Sequence, residues 1–274
     1  MLSNGPLEQR LRLWSGLILF TYVTLHLVNH SLGIVSLEAM EAMRLWLVWL
    51  WRSVPGTALL VGAALIHASM ALAKLYRRRT LRMPVWEAVQ LGLGLLIPLL
   101  LTQHVLGTRG VVEMFGVRDS YAYVLLAHWS NDVTALRQGA LLVIVWVHGC
   151  IGLHFWLRLK PWYRRLVPGA YALALLLPAT ALIGWWDGGR AIRALAVDRA
   201  WVRALYRDIG WPPGDAGVVF VYGNETYVVA GFLVLLGLIA LARLVRARLA
   251  ARERGARITY PGGRFAFAMP GMTV

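Results

Sequence analysis

The stretch LRLWSGLILFTYVTLHLVNHSLGIV, residues 11–35, decides the fold class of this chain. It is apolar over more than the ~20 residues that a helix needs to cross a membrane, and yet it contains two histidines, His26 and His30. An imidazole in hydrocarbon is costly unless it binds something. Arg10 and Arg12 precede its apolar part, which begins at Leu13, and no small-residue cleavage pattern follows it, so we expect a retained membrane helix rather than a removed signal peptide.

The composition of the whole chain extends this interpretation. Of its 274 residues, 59% are hydrophobic and only 15% are charged, and 13 are Trp, which is typical of an integral membrane protein. Six apolar runs are long enough to span a membrane, at residues 13–35, 55–76, 85–106, 136–157, 168–186 and 218–241. The sequence therefore predicts an all-α integral membrane protein with six transmembrane helices.

The charges predict how the helices are oriented. With a cytoplasmic N-terminus, the inner segments carry 18 of the 28 Lys and Arg residues and 3 of the 13 acidic residues, whereas the outer segments carry 10 of each. This is the positive-inside asymmetry, and it predicts that both termini are cytoplasmic. The formal charge of +15 is then explained by contact with membrane lipid, and we do not expect a nucleic-acid partner. The single cysteine, Cys150, excludes an internal disulfide.

Four histidines inside the apolar runs form an internal repeat. His26 is followed by His67 after 41 residues, and His104 is followed by His148 after 44 residues. Glycines at positions 16 and 94 each precede the first histidine of a pair by ten residues. Two helix pairs of like design predict a four-helix bundle, with two further helices beside it.

The depths of these histidines predict a cofactor. His67 and His148 each lie twelve residues from the outer end of their span, or ~18 Å, while His26 and His104 lie nearer the outside. Facing imidazoles at two levels suit two bis-histidine b haems, one between His26 and His104 and one between His67 and His148. The alternative is that the histidines only form hydrogen bonds between helices. A zinc or di-iron site is disfavoured because the interior offers no carboxylates.

Other residues have more than one interpretation. His30 and His154 could replace a neighbouring ligand, bind a haem propionate or a quinone carbonyl, or face the lipid headgroups. Arg52, Arg109 and Arg118 could meet propionates or headgroups. An apolar, hydrogen-bonding slot for a quinone could be built from Trp51, Trp129, Tyr121 and Tyr123. His128 lies in an outer loop and has no predicted role, and no catalytic residue is predicted.

The remaining segments complete the predicted organisation. Residues 190–208 have the pattern of an amphipathic helix on the membrane surface. The tail places Pro-Gly-Gly between two strand-like runs, 257–260 and 264–268, which predicts a β-hairpin. We expect a cytoplasmic N-terminus (1–12), a membrane domain (13–245), a helical cytoplasmic linker (246–256) and, at 257–274, the beginning of a domain that continues beyond this chain.

The first histidine-bearing helix resembles a known family. Residues 12–33, with Ser15, Gly16, His26 and Asn29, together with His67, are similar to the dihaem cytochrome b subunits of succinate:quinone oxidoreductases and fumarate reductases. In that family four histidines on four helices hold two haems, and the match carries over to His26, His67, His104 and His148. The chain departs from the family in helix order, because two helices follow the last ligand and none separates the pairs.

A second resemblance covers nearly the whole chain. The motifs HLVNHSLG, WRSVPGT and LYRRRTLRMPVWEA, the run around His148 and the YPGGR tail resemble the membrane anchors of bacterial class III adenylate cyclases that carry a [2Fe-2S] ferredoxin module. The resemblance implies an inner-membrane, quinone-responsive redox sensor that regulates cyclic AMP synthesis and dimerises through its cyclase. Cluster cysteines and catalytic aspartates would lie downstream, so the chain itself is not expected to be the catalyst.

Two alternatives remain open at this stage. The chain could be the cytochrome b membrane subunit of a succinate:quinone oxidoreductase, although such subunits normally end near their last helix. It could also be a haem-free anchor that only dimerises a cyclase.

Overall fold

The computed structural model describes residues 6–78, 80–252, 256–259, 263 and 265–268. Within these residues the chain forms ten α-helices and two short strands. The helices are α1 Pro6–Ser31, α2 Leu37–Trp51, α3 Val54–Arg77, α4 Val85–Val105, α5 Val111–Phe115, α6 Tyr121–His128, α7 Asp132–Leu157, α8 Tyr163–Leu195, α9 Arg199–Asp208 and α10 Ala216–Arg252. The strands are β1 Ala256–Thr259 and β2 Phe265–Ala268.

Six of the helical segments are long and apolar enough to cross a membrane. Five of these segments contain one α-helix each, namely α1, α3, α7, α8 and α10. The sixth, Val85–Phe115, joins α4, the π-helical segment Leu106–Gly110 and α5. Side-chain caps mark where several helices begin: Ser53 accepts a hydrogen bond from the Gly56 N–H at α3, and Asn131 accepts one from the Thr134 N–H at α7. The prediction of an all-α membrane protein with six candidate spans is confirmed.

Four of the spans form the bundle that positions the histidines. Helix α1 packs against α3 and α7, and α4 packs against α7. Helix α8 covers α1 closely, since a Cβ atom at Gly184 would collide with the carbonyl oxygen of His30. Helix α10 packs against α4 and α3 on another side. The four helices that carry the histidine repeat are therefore joined in the order α3, α1, α7 and α4, and α8 and α10 pack against them.

Several helix boundaries differ from the sequence-based expectations. Helix α1 begins at Pro6, so part of the predicted N-terminal segment belongs to the first helix. Residues 190–208 do not form one surface helix, because α8 continues to Leu195 and α9 begins only at Arg199. Helix α2 was not predicted, although its exposed Trp46 and Trp49 are the kind of residue that anchors a helix at a membrane interface.

The C-terminal strands pair antiparallel, with Ala256 opposite Ala268 and Thr259 opposite Phe265. The predicted Pro-Gly-Gly turn comprises residues 261–263, of which only Gly263 belongs to the described part of the chain. Helix α10 extends through most of the predicted linker and ends at Arg252, four residues before β1 begins.

Candidate functional site

A cavity of about 1510 Å³ runs along the inside of the four-helix bundle. One end, which we call the basic end, is lined by Arg12, Lys74 and Arg158. The other end, the histidine-rich end, is lined by His26, His30, His104 and His128. Pockets for a single small molecule usually occupy about 300–1,000 Å³, so this cavity has room for more than one large ligand.

His67 and His148 face one another in the part of the cavity nearer the basic end. Their ring centroids are 6.2 Å apart and their planes are nearly perpendicular, at 86°. Nδ1 of His148 lies 3.0 Å from the backbone oxygen of Gln90. A carbonyl oxygen can only accept, so Nδ1 donates, and in a neutral imidazole Nε2 then keeps its lone pair for a ligand.

Two glycines make room for these rings. A Cβ atom at Gly16 would lie 3.2 Å from Cε1 of His67, and one at Gly94 would lie only 2.8 Å from Cε1 of His148. This explains the ten-residue spacing in the sequence. Gly16 and Gly94 lie at the level of the His67–His148 pair, and His26 and His104 follow them by ten residues on the same helices. Ten helical residues separate the two levels by about 15 Å.

His26 and His104 face one another in the histidine-rich end. Their ring centroids are 5.9 Å apart, with an interplanar angle of 78°. Nδ1 of His104 lies 3.0 Å from the side-chain nitrogen of Gln138. Rotating that amide by 180° places its oxygen to accept a hydrogen bond from Nδ1–H, which again leaves Nε2 for a ligand.

The ring separations distinguish these pairs from the other histidine contacts. A metal–imidazole bond is about 2 Å long and the nitrogen lies about 1 Å from the ring centre, so two imidazoles on opposite sides of one metal have centroids about 6 Å apart. The His26–His104 and His67–His148 pairs fit this distance. The contacts of His26 with His30, at 4.7 Å, and of His104 with His128, at 5.4 Å, are shorter.

The histidine pairs suit a metal cofactor in which most of the metal's ligands come from the cofactor itself. Across the described part of the chain, no three or more His, Cys, Asp or Glu side chains converge as a site for a bare metal ion. Haem iron needs only two axial ligands from the protein, because the macrocycle supplies the other four. Two histidine pairs in an apolar cavity meet that requirement, whereas they leave a bare ion short of ligands.

Two of the residues predicted as further contacts lie elsewhere. His154 is not part of the cavity lining, and its Nδ1 lies 3.1 Å from the hydroxyl of Tyr163. Arg118 is also outside the lining, because its guanidinium donates to the backbone oxygen of Asp208. The helical twist directs His154 away from the face that carries His148, six residues earlier. Neither residue is placed to contact a ligand in the cavity.

The predicted arginines that do line the histidine-rich end are paired. Arg52 binds both carboxylate oxygens of Asp119, at 3.0 and 2.5 Å, and Arg109 binds Glu113 at 2.6 Å. Arg44, which the sequence did not single out, bridges Glu41 at 2.6 Å and Asp119 at 3.2 Å. Arg44, Arg52, Glu41 and Asp119 together carry no net charge.

Aromatic residues proposed for a quinone slot divide into two groups. Trp51 and Tyr121 line the cavity. Burial raises the pKa of the Tyr121 phenol, which therefore stays a hydroxyl. Tyr123 instead packs against Trp211 and donates to the Gly107 carbonyl at 2.9 Å, and Trp129 packs against Trp185 at 4.6 Å.

Sequence reasoning missed several cavity residues. His128 was assigned no role, yet its ring stacks on His104 with an interplanar angle of 28°. Arg12 and Lys74 were used only to orient the helices, and both line the basic end. The sequence position of Arg12 and Lys74 was the available signal, since each lies on the helix that carries His26 or His67, at the end of that helix away from α2.

No protein-family model matches the sequence, and neither a curated protein nor a solved structure matches it.

Proposed function

We propose that this chain is a dihaem b membrane domain in which His26 with His104 and His67 with His148 are the axial ligands. The observation that carries the proposal is the pair of ring separations, 5.9 and 6.2 Å, at two levels of one large cavity. When bound, a bis-histidine haem exchanges single electrons. The protein holds the imidazoles in place through Gln138 and Gln90 and excludes water with the apolar helices around them.

The charged residues at the basic end favour the same ligand. Haem propionates need cationic partners, and Arg12 and Lys74 line this end next to the His67–His148 level. Within the described residues neither side chain forms an ion pair. The positive-inside rule places this end at the cytoplasmic face, and we propose a bacterial inner membrane with both termini in the cytoplasm.

The resemblance to cyclase anchors supplies the proposed role of the domain. We propose that it responds to the redox state of membrane quinone and regulates a class III adenylate cyclase that follows in the full-length protein, together with a [2Fe-2S] module. The cyclase would also make the protein a homodimer. The paired strands after α10 support a regulatory anchor over the membrane subunit of a succinate:quinone oxidoreductase, because they continue the chain past the last membrane helix.

A visible spectrum of the purified chain tests the proposal. We expect reduced-minus-oxidised bands of b-type haem, and a pyridine haemochrome assay that approaches two haems per chain. A chain that carries no haem after expression with a haem supply would support the haem-free dimerising anchor instead. A firm value near one haem would mean that one histidine pair has another role.

A further inference from the structure

A buried amide without a hydrogen-bond partner lies at the histidine-rich end of the cavity. Asn29 follows His26 by three residues on α1 and its side chain is 0% exposed. Among the described residues, neither its amide nitrogen nor its oxygen has a hydrogen-bond partner, although the residue lines the cavity. Buried polar groups are almost always paired, so Asn29 calls for a partner that the described residues do not supply.

Four further residues with an unpaired buried polar atom line the same cavity, and they are His30, Trp51, His67 and Trp185. Two of them, His30 and Trp185, lie on the helices that meet near Asn29. Nδ1 of His30, a residue 7% exposed, and Nε1 of Trp185, a residue 5% exposed, have no partner within the described part of the chain. These groups come from helices that touch, since the backbone of His30 contacts Gly184, the residue before Trp185. The amide and the indole are donors, and the imidazole can be one. Three unpaired polar groups on adjacent helices fit an acceptor oxygen.

The charge of this region favours a neutral acceptor over a carboxylate. Arg44, Arg52 and Arg109, the arginines that line this end, are all bound to acidic side chains. An incoming carboxylate would have to compete with these acids. At the basic end, by contrast, Arg12 and Lys74 form no ion pair within the described residues, and they suit the propionates of the haem proposed between His67 and His148. The rings of Tyr22 and Tyr121 lie beside His26 and His30. Aromatic side chains pack well against a flat, neutral headgroup.

We propose that Asn29, His30 and Trp185 form the binding site for a carbonyl oxygen of a quinone headgroup, beside His26 at the histidine-rich end. The inference rests on the proposed function, which assigns a quinone response to the domain but no location for it. In this site the Asn29 amide and the Trp185 indole donate to the carbonyl, and the ring lies among the aromatic side chains. Binding here places the quinone next to the outer histidine pair.

The test compares quinone binding by variants of the full 274-residue chain in lipid nanodiscs. Isothermal titration calorimetry with ubiquinone-1, and with 1,4-naphthoquinone as a second probe, gives the Kd. Asn29→Leu preserves side-chain volume and removes the amide, and we expect binding to weaken at least tenfold with two haems per chain retained. Ser31→Ala is the control, because Ser31 is not part of the cavity lining and its hydroxyl bonds the Leu27 carbonyl and the Thr180 hydroxyl.

The possible outcomes distinguish a failure of this binding site from a failure of the proposed quinone response. An unchanged Kd in Asn29→Leu overturns the site and leaves the quinone response intact, whereas a wild-type chain that holds two haems and binds neither probe overturns the response itself. Loss of one haem in Asn29→Leu means that Asn29 serves the haem and also overturns the site. If that variant does not fold, Trp185→Phe, which keeps the ring shape and removes the N–H, must weaken binding.

A second measurement needs no variant. Ubiquinone-1 labelled with ¹³C at one carbonyl and bound to the wild-type chain should show a carbonyl stretch shifted to lower frequency than in detergent solution, as a hydrogen-bonded carbonyl does. A carbonyl stretch at the unbonded frequency contradicts the proposal.

Discussion

Gly94 lies directly against the imidazole of His148, so that any side chain at this position would meet the ring. A Cβ atom at Gly94 would be 2.8 Å from Cε1 and 3.3 Å from Nδ1 of His148. Nδ1 of this ring also donates to the Gln90 carbonyl, one turn earlier on α4, at 3.0 Å. The sequence therefore needs glycine at position 94 for a packing reason rather than for backbone conformation.

Gly94→Ala should displace the His148 ring and alter or remove the haem spectral component of the inner pair alone. Gly92→Ala is the matched control, because a Cβ atom at Gly92 would have no neighbour within 4 Å. Alanine favours the helix by about 1 kcal/mol over glycine, so the control should be neutral or stabilising. Reduced-minus-oxidised spectra of both variants provide the measurement. Equal spectra for the two variants would show that the Gly94 contact has no influence on the haem.

The two pairs of histidines should behave as two units. His67→Ala and His148→Ala should each remove the same spectral component, and His26→Ala and His104→Ala should each remove the complementary one, with haem content falling by about half in every case. Spectra at controlled potential resolve the components. If two members of one pair remove different components, the assignment is wrong and His30 becomes the first alternative ligand.

The ion pair of Arg137 and Glu225 should contribute strongly to stability. It joins α7 to α10 within the spanning segments, its side chains are 26% and 13% exposed, and Arg137 also donates to the Leu99 carbonyl at 2.8 Å. Removing one partner leaves a charge in an apolar setting, so Arg137→Leu should cost about 3–5 kcal/mol. The denaturation midpoint in detergent measures the loss, and the double variant with Glu225→Leu should recover part of it.

The control for this prediction is the exposed ion pair of Arg193 and Asp132, whose side chains are 42% and 86% exposed. Asp132→Asn should change stability by less than about 1 kcal/mol, because water screens an exposed pair. Asp132 is the partner to change, since Arg193 also donates to the Trp129 carbonyl and lies over the Trp129 ring. A loss in Arg137→Leu no larger than that of the control would mean that the buried pair adds little to the association of α7 with α10.

If the proposed cyclase follows this chain, helix α10 should transmit the state of the histidine-bearing helices to it. Arg243 and Arg246 donate to backbone carbonyls at the end of α3, which carries His67, and α10 then continues to Arg252. In a full-length protein, inserting Gly-Gly at Ala250 interrupts the helix with two residues of poor helix propensity. We expect both haems and basal cyclase activity to remain and the response to quinone to be lost.

Insertion of Ala-Ala at the same position is the comparison, because it changes the helical phase but keeps the helix stiff. A response that survives the Gly-Gly insertion would exclude mechanical transmission along α10. Electron transfer from haem to the iron–sulfur module would then be the route to test.

The sequence by itself determined the membrane helices and the levels of the histidines. Both follow from local quantities, namely the hydropathy of successive residues and the 1.5 Å rise per helical residue, so they need no knowledge of which helices touch. The ten-residue interval between glycine and histidine was visible for the same reason. The role of the two glycines was not visible in the sequence, because Gly16 and Gly94 pack against His67 and His148 of neighbouring helices.

Only the tertiary structure decided which polar residues share the cavity. It placed the His128 ring on His104 and His154 and Arg118 outside the cavity lining, and it buried Asn29 with no hydrogen-bond partner among the described residues. These outcomes depend on the rotation of each helix about its axis and on contacts between residues far apart in the chain. Helix rotation is set by packing against neighbours, and a sequence pattern read along one helix does not contain those neighbours.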